Sequence, residues 1–162
     1  PPLYLRDKRD ADMTDQTPTR SPEAVAEGLD QAMIRRVVHR FYADAREDPV
    51  IGPVFRTHVP DDQWQAHLDK ITAFWSSSLL GTGSYDGRPM PKHLAITELN
   101  DDHFRRWLAL FRHTVTDLCP PNTAELFITR SERIAEAFRI NIGMHRGQDL
   151  MFRPPLTREA YP

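Results

Sequence analysis

Four side chains in this 162-residue sequence combine chemical capability with positions that a folded chain would otherwise keep apolar or plain: Tyr42, His67, Trp107 and His93. The first three fall on hydrophobic stripes that recur at three- and four-residue steps, each in a different segment, and His93 follows a proline-rich turn. A buried phenol, imidazole or indole that lacks a hydrogen-bond partner costs on the order of 1–3 kcal/mol, so something polar should meet them. A helical core can hold a cofactor between facing helices, and a small ligand there would accept from a hydroxyl and an indole N–H together. The plainer alternative is that Tyr42 and Trp107 are large core residues whose polar tips reach a carbonyl or the surface, and that His93, like most single histidines in turns, faces solvent. Phe55, Phe74, Trp75, Phe104, Phe111 and Phe138 suit an ordinary core equally well. Spacing does not decide between the two readings.

Other chemistries lack their residues. There is no glycine-rich phosphate loop, no nucleophile elbow, no helical His-Glu-x-x-His pattern and no cysteine pair, Cys119 being the single cysteine. With 21 basic and 23 acidic residues the formal charge is -2, which provides no positive field for phosphate backbones or anionic lipid. Arg35 with Arg36 and Arg105 with Arg106 form two separated pairs, read as solvated faces rather than a nucleic-acid stripe. The opening PPLYLRDKRDAD mixes both charges where a signal peptide would be apolar, and no later run approaches membrane-span length. Nucleic acid and membrane are disfavoured as partners, and the cytoplasm is the simplest compartment for a chain that cannot form an internal disulfide.

The elements that must position these residues are read from proline. The 14 prolines cluster and leave free windows from Glu23 to Asp48, Asp61 to Arg88, Lys92 to Cys119 and Asn122 to Arg153. The first window carries Leu29, Met33, Ile34, Val37, Val38, Phe41, Tyr42 and Ala45 on one helical face, with Asp30 as cap. DPVIGPVF then suits a tight corner turning Phe55 inward better than a regular element. A second helix from Asp61 or Asp62 places Trp64, His67, Leu68, Ile71, Phe74, Trp75, Ser78 and Leu79 inward and stops at Gly81 and Gly83. The turn-rich GTGSYDGRPMP leads to a short helical turn opened by Pro91 that holds His93. A third helix, capped by Asn100 or Asp101, buries Phe104, Trp107, Leu108, Phe111, Val115 and Leu118 before Pro120 and Pro121. A fourth, from Asn122 or Thr123, buries Phe127, Ile134, Phe138 and Ile142 and frays at Gly143 and Gly147. The expectation is an all-α domain over 29–147, with 1–28 a poorly structured extension and 148–162 a C-terminal tail that ends in an unstructured PPLTREAYP.

The ordered blocks RFYADAREDPVIGPVF, WQAHLDKITAFW, YDGRPMPKHL and HFRRWLALF resemble the group III truncated haemoglobins over roughly Leu29 to Gly143. The resemblance implies a two-over-two sandwich of helices around haem b, with His93 as the iron ligand and Tyr42, His67 and Trp107 on the distal side. It further implies that Phe55, Ile71, Phe74, Trp75, Tyr85, Met90, Phe111 and Phe138 line the cofactor, and that the region before His93 is shortened. His67 has three options at this point: hydrogen-bonding the ligand, swinging as a gate, or pointing outward. Arg56, His58, Lys70, Tyr85 and Arg88 are candidates to meet the propionates. The function implied is tight binding of oxygen or another diatomic ligand. Peroxidase or nitric oxide dioxygenase turnover with an external reductase is the enzymatic alternative, and a haem-free helical interaction module is the third.

Overall fold

The computed structural model describes residues 28–158, and all regular structure among them is helical. In chain order these are α1 (Gln31–Glu47), α2 (Gly52–His58), α3 (Trp64–Leu80), α4 (Pro89–Leu94), α5 (Asp101–Leu118) and α6 (Pro121–His145), with a 3-10 turn, Asp61–Gln63, leading into α3. Local chemistry sets the ends. The Asp30 carboxylate accepts the Met33 N–H at 2.8 Å, closing the start of α1. Asn100 accepts from the amides of Asp102 and His103, and His103 Nδ1 accepts the Asn100 N–H at 3.1 Å, a capping box in which histidine replaces the usual glutamate. Gly81 ends α3 at φ +66, where a side chain would be strained. Pro120 and Pro121 separate α5 from α6, and Pro121 then occupies the first turn of α6, where its missing N–H is no loss.

Helix α1 packs on α3, α5 packs on α6, and α1 also packs on α5, so two helical pairs stack as two layers. Between them lies an aromatic stack: Trp75 lies 13° from parallel to Phe111, which is parallel to Trp107 within 1° at 5.3 Å. Phe41, Trp75, Phe111 and Phe127 are at most 2% exposed, so truncating any of them to alanine would cost about 3–5 kcal/mol. A second cluster, Leu99, Phe104, Leu108, Ala135 and Ile142, takes Leu94 of α4 and Phe138 of α6 against it, and Trp107 touches both clusters. Among the described residues no helix is long and apolar enough to cross a membrane.

Several expectations need correcting. The DPVIGPVF corner is shorter than predicted, because Gly52–His58 forms a helix with proline in its first turn and Phe55 on it. The corner itself is made by Asp48, whose carboxylate accepts the Val50 and Ile51 amides at 2.9 and 3.1 Å. Arg106 is not part of a solvated face: its Nε donates to buried Asp48 at 2.7 Å, tying α5 to the end of α1. Helix α4 opens at Pro89 rather than Pro91, and α6 at Pro121 rather than Asn122. Gly143 does not fray. It is buried within α6, where a Cβ would meet Leu150 Cδ2 at 2.6 Å, so its bare backbone lets the following chain cross closely. The described part of that tail, residues 148–158, has no helix, yet Arg139 donates to the Pro154 carbonyl at 2.6 Å, Arg153 pairs with Asp101, and Leu156 packs on the second cluster. Of the expected extension 1–28, all but Gly28 lies outside the described residues.

Candidate functional site

His93 sits near the end of α4, a six-residue helix whose first turn carries Pro89 and Pro91. Its Nδ1 lies 2.7 Å from the Pro89 carbonyl. A carbonyl only accepts, so Nδ1 carries the ring proton and Nε2 presents its lone pair. Phe138 stacks on the imidazole at 4.2 Å and 23°, fixing the ring plane from α6. Burial holds the His93 pKa below the ordinary histidine value, the Pro89 bond opposes that, and Lys92 adds to it. The imidazole is therefore neutral near pH 7, which is the state that ligates metal. Among the described residues no three His, Cys, Asp or Glu side chains gather to hold a bare ion. A metal at His93 would need its remaining ligands from a cofactor.

The other three predicted residues come together from three helices. Tyr42 of α1 is 7% exposed, and the Trp107 indole N–H of α5 donates to its oxygen. Burial raises the Tyr42 pKa well above the ordinary phenol value, so the hydroxyl keeps its proton. Since the indole can only donate, that proton remains available to a second partner, and none is found among the described residues. His67 of α3 lies edge-on to Tyr42 at 6.1 Å, and its Nε2 is buried with no hydrogen-bond partner among the described residues. Burial lowers the His67 pKa, and His93, Lys70 and Lys92 lower it further. One free phenolic proton and an orphaned imidazole nitrogen fit a polar ligand that the described residues themselves do not provide.

A family profile described as "Bacterial-like globin" matches residues 26–139. The chain belongs to the bacterial-like globin family. It is 31% identical over 115 residues to a group 3 truncated haemoglobin of Campylobacter jejuni, covering 70% of this chain and 91% of that protein. The crystal structure of a group III truncated haemoglobin from Campylobacter jejuni superposes with a TM-score of 0.68 at 30% identity, over 72% of this chain and 94% of the other. The two-layer arrangement is thus the truncated-globin fold, and membership in the family makes this a haem-binding chain.

The globin distributes the remaining predicted residues unevenly. Phe55 meets Tyr42 edge-on at 5.6 Å, and Ile71 lies one turn beyond His67 on α3. Phe74 meets Tyr85 at 5.3 Å, so these two half-buried rings belong to one patch, and Met90 is half-buried one turn before His93. Trp75 and Phe111 are different: both are fully buried and stacked on each other, with Phe127 against each, which makes them the floor behind the site. Of the cationic candidates, Arg56 donates to the Arg46 carbonyl at 2.5 Å and His58 pairs with Glu98 at 2.5 Å, whereas Lys70 and Arg88 are exposed. Sequence reasoning placed Trp64 on the α3 stripe without singling it out, yet its ring lies 5.8 Å from His67 and 6.1 Å from Phe55. Its position three residues before His67, one helical turn away on the same face, was the available signal. A separate open depression at the start of α5, about 500 Å³ and lined by Arg105, Arg139, Arg146 and Arg153, is no rival. Its guanidiniums are already held by Asp101, Asp102 and backbone carbonyls.

Proposed function

We propose that this globin binds haem b through His93 Nε2 and holds oxygen, or a related diatomic ligand, tightly beneath Tyr42 and Trp107. The observation that carries the reading is the hydrogen bond from His93 Nδ1 to the Pro89 carbonyl, which fixes the tautomer a metal ligand requires. When bound, haem supplies an iron with four porphyrin nitrogens and a position open to a diatomic gas. His93 would hold the iron from α4, its ring kept in plane by Phe138. Tyr42 would donate its free phenolic proton to the ligand while its oxygen stays anchored by the Trp107 N–H. His67, kept neutral by burial, would offer the ligand its otherwise unpartnered Nε2. Phe55, Ile71, Phe74, Tyr85, Met90 and Phe138 would supply apolar walls, with Trp75 and Phe111 stiffening them from behind.

A hydrogen bond to a charged acceptor contributes about 1.5–3 kcal/mol, so the Tyr42 donor slows ligand release by roughly 10- to 150-fold. That suits scavenging, sensing or redox chemistry on a small ligand rather than bulk transport. Re-reduction of the iron would draw on an external electron donor, and a reducing compartment such as the cytoplasm suits the lone Cys119. The name of the Campylobacter jejuni relative, a truncated haemoglobin, supports the same reading.

The test is the ferric and ferrous absorption spectrum of the haem-supplemented protein beside His93→Ala. The parent should show a Soret band with shifts on reduction and on adding carbon monoxide, and the variant should lose the five-coordinate histidine signature. A parent without a Soret band, or a variant with an unchanged spectrum, would overturn the assignment.

A further inference from the structure

Resting on the haem reading above, we propose that Trp64, itself held by Arg46, is the positioning residue that keeps His67 turned inward, so that the first turn of α3 is a latch on ligand entry. A half-buried imidazole whose Nε2 finds no partner would gain by swinging toward water, so the inward orientation needs a restraint. The geometry supplies one. Trp64 and His67 lie one turn apart on α3, with ring centroids 5.8 Å apart and planes tilted by 33°. The Tyr42 ring stands edge-on to His67 at 6.1 Å and to Trp64 at 6.5 Å. The imidazole is thus bracketed by an indole and a phenol, and leaving requires Trp64 to give way.

Trp64 is in turn held. The Arg46 guanidinium carbon lies 4.6 Å from the centre of its ring, a cation–π contact, and Arg46 also pairs with Asp61 in the turn that opens α3. Asp61 is 89% exposed, so that ion pair adds little alone, and the guanidinium on the indole is the main hold. Arg46 is anchored through its own carbonyl, which accepts from Arg56 of α2 at 2.5 Å. Gly52 completes the corner, because a Cβ there would meet that carbonyl at 2.6 Å. The end of α1, the start of α2 and the start of α3 are therefore fastened at one point, and Trp64 transmits that fastening to His67.

The experiment compares Trp64→Ala, Trp64→Phe and Arg46→Gln with the parent as haem-loaded proteins, and follows His67 by side-chain nitrogen NMR in the haem-free proteins. In Trp64→Ala, carbon monoxide association after flash photolysis should quicken about fivefold, the factor equivalent to about 1 kcal/mol. Its dissociation should quicken at least as much, since the way in is also the way out and a released His67 no longer offers the bound gas its Nε2. The C–O stretching band should move toward the apolar-environment population, and the His67 resonances should shift. Trp64→Phe, which keeps a ring, should restore the parent pattern, and Arg46→Gln should fall between and report even where Trp64→Ala folds poorly. Parent-like association and unmoved His67 resonances in both Trp64→Ala and Arg46→Gln would overturn the latch. A parent that takes up no haem, while His67 still responds to Trp64→Ala, would overturn the cofactor reading and uphold the positioning of His67 by Trp64.

Discussion

Replacing Tyr42 by phenylalanine removes one oxygen atom from a 7% exposed side chain while leaving its edge-on contacts with Phe41 at 4.7 Å and Phe55 at 5.6 Å intact. The fold should tolerate it, because volume and ring geometry are conserved. Two things change at the site. The phenolic donor to the ligand is lost, worth about 1.5–3 kcal/mol where the acceptor carries charge, which corresponds to roughly 10- to 150-fold in dissociation rate. At the same time the Trp107 N–H, which donated to the Tyr42 oxygen, becomes free to reach the ligand itself. The surviving donor takes up part of the loss, so Tyr42→Phe should speed oxygen release by about 10- to 30-fold, the lower part of that range. Adding Trp107→Phe should then cost more than Trp107→Phe does alone, since the two donors substitute for each other. Stopped-flow replacement of oxygen by carbon monoxide in the reduced protein measures each rate. A Tyr42→Phe rate within about twofold of the parent would refute the donor role, because no charged acceptor could lose such a bond at so small a cost.

Two further outcomes concern the scaffold. Asp48 is buried and accepts three hydrogen bonds; burial is the largest influence and raises its pKa, but the Ile51 and Val50 amides and Arg106 together hold it below the ordinary value. Its stabilisation is therefore complete above the unfolded carboxylate pKa and is lost as pH falls through the lower folded value. Asp48→Asn should cost about 2–4 kcal/mol in urea melts at pH 7, with the gap to the parent closing below about pH 4. An equal gap at pH 7 and pH 3 would contradict this. Gly143→Ala places a methyl against Leu150 Cδ2 and Arg153 Nη1, at 2.6 and 2.9 Å, and should lower stability by about 1–2 kcal/mol by displacing the tail. In a chain ending at residue 147 the same change should instead stabilise, since alanine is the better helix former; equal losses in both backgrounds would show that the tail is not involved.

Much of this was legible in the residues. Helix starts at Asp30 and Asn100, the stop at Gly81 and the break at Pro120 were readable because capping and left-handed turns depend on a few adjacent atoms. The all-helical class followed from the period of the apolar stripes, and the family from four blocks in fixed order. Two local signals mislead for physical reasons: Pro53 resembles a breaker although the first turn of a helix accepts it, and Gly143 resembles an ending although its role is to let residues 148–153 pass.

The sequence alone could determine that Tyr42, His67 and Trp107 lie on the apolar stripes of three different helices and that His93 stands on a short proline-opened turn, since periodicity assigns each residue to a face of its own element. It could not determine what those side chains meet. That Trp107 donates to Tyr42, that His67 Nε2 finds no partner among the described residues and that Arg106 holds buried Asp48 are products of the packing of separate helices. The physical reason is range. Helical phase is set within a turn, whereas a hydrogen bond between side chains 58 or 65 residues apart forms or fails over fractions of an ångström that only the closed tertiary structure specifies.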